Sequence, residues 1–391
     1  MKKDAKVLIL VSFLFTLAMG LSSIFINVFF FRETKSFKVI IIYNLMHYIF
    51  SPLTFILAGY LAKKKNGIWP LRIGLFLFSL FFCLILLFKS TDLIYPLGIL
   101  FGIASGFYWL SYNTLSFDFT SMNNRDTFNG FNGSFCAIAA AVAPISAAFI
   151  ISRFKSLSGY NIIFFITLVI FILLLVISLF IKCPGCSKNI DYKKIISYHN
   201  KEWNTIRLGT FFWGMRDVVI GFIINILIIE TTGSEIYLGE FAFIAATISC
   251  VSFMLVQKFI KPKRRRLSLF FGASFALIAV LGIFFKISYL TLLLYVVIDA
   301  FFIPFFIIQL SSVSFNWIEM SGQMENRIEY IISKEIALNL GRITSDISLF
   351  ILIYFFTNTR VINYFMLFIG FAPIVAAIFI GKLKKVLLKE G

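Results

Sequence analysis

Twelve long apolar runs, separated by short polar or charged connections, dominate this chain. Cut where charges, glycine, proline and asparagine cluster, they cover residues 7–31, 37–61, 71–88, 93–116, 128–152, 161–181, 207–230, 236–260, 267–285, 289–314, 328–356 and 361–380. A bilayer-spanning helix takes about 20 predominantly apolar residues, so every run is long enough to cross a membrane. Lipid offers backbone amides no partners, which makes helices the expected form of such runs. The expected fold class is therefore all-α, a polytopic membrane protein with twelve transmembrane helices. With 60% hydrophobic residues, 14% charged and a mean hydropathy of +0.94, a soluble enzyme is excluded.

The formal charge of +18 would point to nucleic acid in a soluble protein, but here the basic residues must first be placed relative to the membrane. An even number of spans puts both termini on one side. That side carries 25 of the 36 Lys and Arg, counting those at span edges; the opposite side carries 8, and 3 lie inside spans. The positive-inside rule makes the richer side cytoplasmic, with membrane lipids and not nucleic acid as the partner of these charges. The first run follows Met1-Lys2-Lys3-Asp4-Ala5-Lys6 and is too long for a cleaved signal, so it is expected as a retained span. The abundance of Phe, Ile, Lys and Asn suggests an AT-rich bacterial genome, hence the bacterial inner (cytoplasmic) membrane as the location.

The longest connection, 182–206, divides the chain into an amino-terminal bundle of six spans (1–181), a basic cytoplasmic linker, and a carboxy-terminal bundle with a basic tail (207–391). Internal repetition supports the division. Lys63-Lys64-Lys65 after the second span recurs 198 residues later in the basic turn that starts at Lys261, and Asn124-Arg125 recurs 202 residues later as Asn326-Arg327. The five cysteines form no disulfide framework, and the single Cys183-Pro-Gly-Cys186 is a weak redox or metal signal.

Two six-span halves, cytoplasmic termini and a basic central loop resemble the major facilitator superfamily of secondary transporters over the whole chain. Gly59-Tyr60-Leu61-Ala62 matches the start of that family's loop after the second helix, but Lys63 stands where the family has an aspartate. On the fifth span, Gly130, Ala139, Ala143, Pro144, Ala147 and Ala148 fall at the spacing of the family's antiporter motif, with alanine replacing most glycines. Small residues let helix backbones approach, and Pro144 removes a hydrogen bond. The resemblance implies an exporter of the 12-helix antiporter and efflux group. Gly98 occupies the place of the arginine often found on the fourth helix of such antiporters, so coupling through that residue is excluded.

A charge at the bilayer centre costs about 2.5–3.5 kcal/mol on the mildest scale, so intramembrane ionisable groups need a partner, water or a function. Arg216 and Asp217 lie about 15 Å into the seventh span, and Asp299 near the middle of the tenth. The resemblance places these spans around a central cavity, making Asp217 and Asp299 candidates for proton coupling and Arg216 a counter-charge for either. On the eleventh span Glu335, Asn339, Arg342 and Asp346 form one stripe, in which Arg342 can pair with Asp346. The stripe reads either as further coupling carboxylates with Arg342 as counter-charge, or as an ion-pair network that fixes helix packing.

In the amino-terminal half His47 either titrates or makes a packing hydrogen bond. Asn27, Asn44, Trp109, Tyr112 and Asn113, with Trp213, Gln309 and Asn339 from the other half, are the candidate substrate contacts; Trp109 and Tyr112 also suit an interfacial aromatic belt. His47 and His199 cannot build a familiar metal site, and no phosphate loop or nucleophile signature is present, so no cofactor is expected. The expected function is transport of a small molecule, run on a gradient of protons by alternating access, by a monomer. Export is favoured, against import, translocation of a lipid-like substrate, or a non-transporting scaffold or sensor.

Overall fold

The computed structural model describes residues 3–87, 93–120, 122–154, 157–182, 190–196, 200–217, 219–356 and 360–388. Among them twelve helical stretches are long and apolar enough to cross a membrane, in agreement with the apolar pattern. The first six are α1 (Lys3–Thr34), α2 (Phe37–Lys64), α3 (Ile68–Leu87), α4 (Ile94–Asp118), α5 (Met122–Ser152) and α6 (Ser158–Ser178). A short α7 (Tyr192–Ile196) follows. The seventh span comprises α8 (Lys201–Asp217) and α9 (Val219–Thr232), and then come α10 (Glu235–Phe259), α11 (Arg265–Phe285), α12 (Tyr289–Met320) and α13 (Arg327–Phe355). The twelfth comprises α14 (Arg360–Gly370) and α15 (Ala372–Gly381), with Pro373 opening the second piece where a missing amide costs least; a short α16 (Lys384–Leu387) follows.

Helices outrun the apolar pattern where local chemistry sustains them. The seventh span begins at Lys201, not Arg207, because the Asn200 side chain accepts the Trp203 amide at 2.9 Å and caps the first turn. The tenth runs on to Met320 and stops where Gly322, at φ 68°, takes the left-handed conformation that lets the Gln323 amide bond the Ile318 carbonyl.

The chain forms two compact units. The first joins Met1–Ile190 with Ser234–Phe243, the start of α10. One close seam is α4 on α2: a Cβ added at Gly98, Gly102 or Gly106 would meet the carbonyl oxygens of Tyr43, His47 and Ser51 at 2.5, 2.5 and 2.7 Å. Glycine at every fourth position gives α4 a flat face on which the α2 backbone rests. Gly98 therefore has a packing role. The α5 alanines do similar work: Ala139, Ala143, Ala147 and Ala148 are buried, Gly20 of α1 packs on Ala143, and Gly239 of α10 packs on Ala148. Gly130 lies on α5, but its surroundings fall outside the described residues.

The second unit joins Asp191–Gly233 with Ile244–Gly391. Its core gathers Trp203, Ile206 and Trp213 of α8, Leu269 and Ala273 of α11, Phe306, Leu310, Val313 and Trp317 of α12, and Ala376, Ala377 and Ile380 of α15. α16 folds onto this core, with Val386 and Leu387 buried and their carbonyls bonded by Asn316 and Arg265.

Candidate functional site

The polar centre of the second unit is built from α8, α12 and α13 outward from one dipeptide. Neighbouring residues on a helix point about 100° apart, so Arg216 and Asp217 face different partners. Arg216 ion-pairs with Asp299 of α12 and also donates to the Tyr295 hydroxyl at 3.3 Å, one turn earlier on the same helix. Asp217 accepts two bonds from Arg342 of α13, through Nη2 and, at 3.2 Å, Nε. One α8 dipeptide thus ties α12 and α13 through a continuous chain of charge, Asp299–Arg216–Asp217–Arg342.

Backbone packing sets this geometry. Gly214 lies against the Leu338 carbonyl and Gly341 against that of Phe211, so α8 and α13 approach more closely than any side chain would allow. That proximity brings the Arg342 guanidinium to Asp217. The expected pairing of Arg342 with Asp346 is accordingly corrected: sequence shows the neighbour one turn away on the same helix, whereas the glycine contact supplies a nearer carboxylate on another. Of the two carboxylates offered to Arg216, the structure selects Asp299.

Accessibility separates the acids. The side chains of Asp217 and Asp299 are 23% and 22% exposed, whereas Asp346 is at 0% and neither of its oxygens has a hydrogen-bond partner among the described residues. Glu335 lies within electrostatic reach of Lys334, Arg342 and Asp217. Asn339 links the stripe, donating to the Glu335 carbonyl at 2.9 Å and accepting from Arg342 Nη1 at 3.4 Å. Trp213 belongs to the apolar core, its ring 5.1 Å from that of Phe306 and 6.0 Å from the Arg216 guanidinium carbon. Gln309 is buried about 15 Å along α12 from Asp299, outside this cluster.

In the first unit Asn44 donates to Asn27 at 3.2 Å and to the Ile40 carbonyl at 3.0 Å, joining α2 to α1. His47 packs edge-on to Phe101 at 4.9 Å and beside Tyr48 at 4.8 Å. Trp109, 45% exposed, stands edge-on to Tyr112 at 6.0 Å and to Phe15 at 5.7 Å; Tyr108, one residue earlier, stacks on Phe15 at 3.5 Å. Asn113 is half-buried beside them.

One cluster escaped the sequence reading. Arg32 at the end of α1 pairs with Glu235 at the start of α10 at 2.5 Å, and the Tyr160 hydroxyl of α6 donates to the same carboxylate oxygen at 2.6 Å. Together with Lys35, Ile151, Phe154 and Leu157 they line a cavity of about 240 Å³ in the first unit. Charges at span edges read as topology signals, which is why these were passed over. Tyr295 was missed as well, although its place one turn before Asp299 was visible. No group of three or more His, Cys, Asp or Glu suited to a metal occurs among the described residues; Cys183, Cys186 and His199 lie outside them.

Residues 8–324 match the family described as Major Facilitator Superfamily. The protein YqgE of Bacillus subtilis (strain 168), itself uncharacterized, is 34% identical over 337 residues, which cover 85% of this chain and 78% of that protein. The E. coli fucose:proton symporter is similar in structure with a TM-score of 0.65 at 15% identity, covering 99% of this chain and 98% of its own. A bacterial homologue of the iron transporter ferroportin, in an outward-facing state, reaches 0.64 at 16% identity, covering 98% of this chain and 99% of its own. At such identities the likeness is one of fold.

Proposed function

The chain belongs to the major facilitator superfamily and is a secondary transporter of a small solute; we propose that it exports its cargo across a bacterial cytoplasmic membrane in exchange for protons. The observation that carries this reading is the pair of carboxylate–guanidinium contacts halfway along the spans of the second unit, Asp299 with Arg216 and Asp217 with Arg342. A buried charge is costly in lipid, and both acids keep about a fifth of their surface accessible, which suits groups that meet water.

The chemistry follows from the pairing. A carboxylate held by arginine stays ionised until a proton arrives; protonation cancels the attraction and frees the guanidinium, which itself never loses its proton. Proton uptake at Asp299 or Asp217 therefore alters which helices α8 holds, since Arg216 and Asp217 reach α12 and α13 separately. Alternating access couples that change to movement of cargo. Trp109, Tyr112 and Asn113 offer aromatic faces and a polar group as cargo contacts, Glu335 and His47 are further groups able to take up a proton, and both termini lie in the cytoplasm.

A cargo identified by thermal shift of the purified protein is then presented to everted membrane vesicles. Accumulation driven by an acidic interior supports export by proton exchange. Accumulation only when the gradient is reversed identifies an importer and overturns the proposed direction.

A further inference from the structure

Arg342 stands between two carboxylates and holds one of them. Its guanidinium bonds Asp217 of α8, while Asp346, one turn further along α13 and within its electrostatic reach, is fully buried with both oxygens unpartnered among the described residues. The neighbouring Ser345 hydroxyl is equally buried and equally without a partner. Of the helices packed on α13, α8 contributes Asp217 near this point, α9 carries its only charge, Glu230, towards its far end, α14 carries Arg360 at its start, and α7 carries Lys193 and Lys194 by the start of α13, where the Asp191 amide bonds Glu329. Asp346 is thus closed off from solvent with no donor among the described residues, and the guanidinium within its reach bonds Asp217. Burying a carboxylate charge with no donor beside it costs far more than burying the uncharged acid.

We propose that Arg342 is a two-position cation: it pairs with Asp217 while Asp346 carries a proton, and moves to Asp346 when that proton leaves. The exchange balances. In net terms one proton passes from Asp346 to Asp217; the ionised Asp346 accepts the guanidinium N–H groups that Asp217 gives up, and Arg342 keeps its charge throughout. Asp346 is then the dry store and Asp217 the accessible port, which would give the proposed proton coupling a definite carrier on α13. The role in transport rests on the proposed function, but the protonation states stand without it.

Infrared spectroscopy of the purified protein in lipid reads these states directly, through the carbonyl stretch of an uncharged carboxylic acid. At neutral pH the wild type shows such a band, and Asp346→Asn, which preserves shape, loses it. Asp217→Asn removes the carboxylate that holds Arg342, so the guanidinium turns to Asp346, which ionises, and its band vanishes at neutral pH. Arg342→Gln keeps the band to higher pH than in the wild type, which covers the case in which Asp217→Asn folds poorly. An Asp346→Asn spectrum identical to the wild type shows that Asp346 is ionised and overturns the proposal. A band that persists unchanged in folded Asp217→Asn overturns the movement of Arg342. If these spectra come out as expected while proton flux survives loss of both Asp217 and Asp299, the cation switch stands and the transport coupling falls.

Discussion

At the residue scale the molecule's most consequential choice is that Arg216 and Asp217 are adjacent, with one charge sent to α12 and the other to α13. Arg216 is nearly buried, and removing it leaves Asp299 short of its cation in an apolar helix. Arg216→Ala is expected to destabilise the protein by about 3 kcal/mol, the lower end for breaking a buried pair because Asp299 keeps some access to water. The double change Arg216→Met with Asp299→Leu is expected to cost less than Arg216→Ala alone, since no lone charge remains. Denaturant unfolding in detergent measures both. The sequence revealed that Arg216 needed a carboxylate and that Asp299 was at a suitable depth. It misled at Arg342, where Asp346 is the neighbour along the chain and Asp217 the neighbour in space.

At the element scale, helix separation is set by glycine. The α4 face of Gly98, Gly102 and Gly106 and the reciprocal contacts of Gly214 and Gly341 let backbones touch, and the second of these seams places the Asp217–Arg342 pair. Gly341→Ala puts a methyl group against the Phe211 carbonyl, and backbone yields less readily than a side chain. A loss of about 1–3 kcal/mol is expected, as for overpacking, together with weakened contact between Arg342 and Asp217. Gly133→Ala on α5, with nothing within 4 Å of the new methyl group, is expected to be neutral or to gain up to about 1 kcal/mol from helix propensity. Thermal unfolding of the two variants side by side separates the seam from a general intolerance of alanine. Helix number and type were legible because apolar length determines them. Helix ends were less so, since Asn200 and Gly322 act through caps that an apolar run does not display. Which faces meet was not legible, because small residues occur on many faces and only packing selects among them.

At the scale of the whole molecule, the twelve spans among the described residues follow from the pattern of apolar runs, whereas the family entered as a resemblance of halves and motifs and is shown by the match over residues 8–324. The basic bias predicts both termini in the cytoplasm: a fluorescent protein fused after Gly391 should fluoresce, while alkaline phosphatase at the same place should be inactive. The reverse pattern would invert the orientation. The central claim concerns the two accessible acids, and proton flux into proteoliposomes in response to a bound cargo tests it most directly. The account predicts that Asp299→Asn and Asp217→Asn each bring pH-driven flux down to that of empty vesicles, while cargo still exchanges across the membrane without a gradient. Flux equal to the wild type in both variants would contradict it.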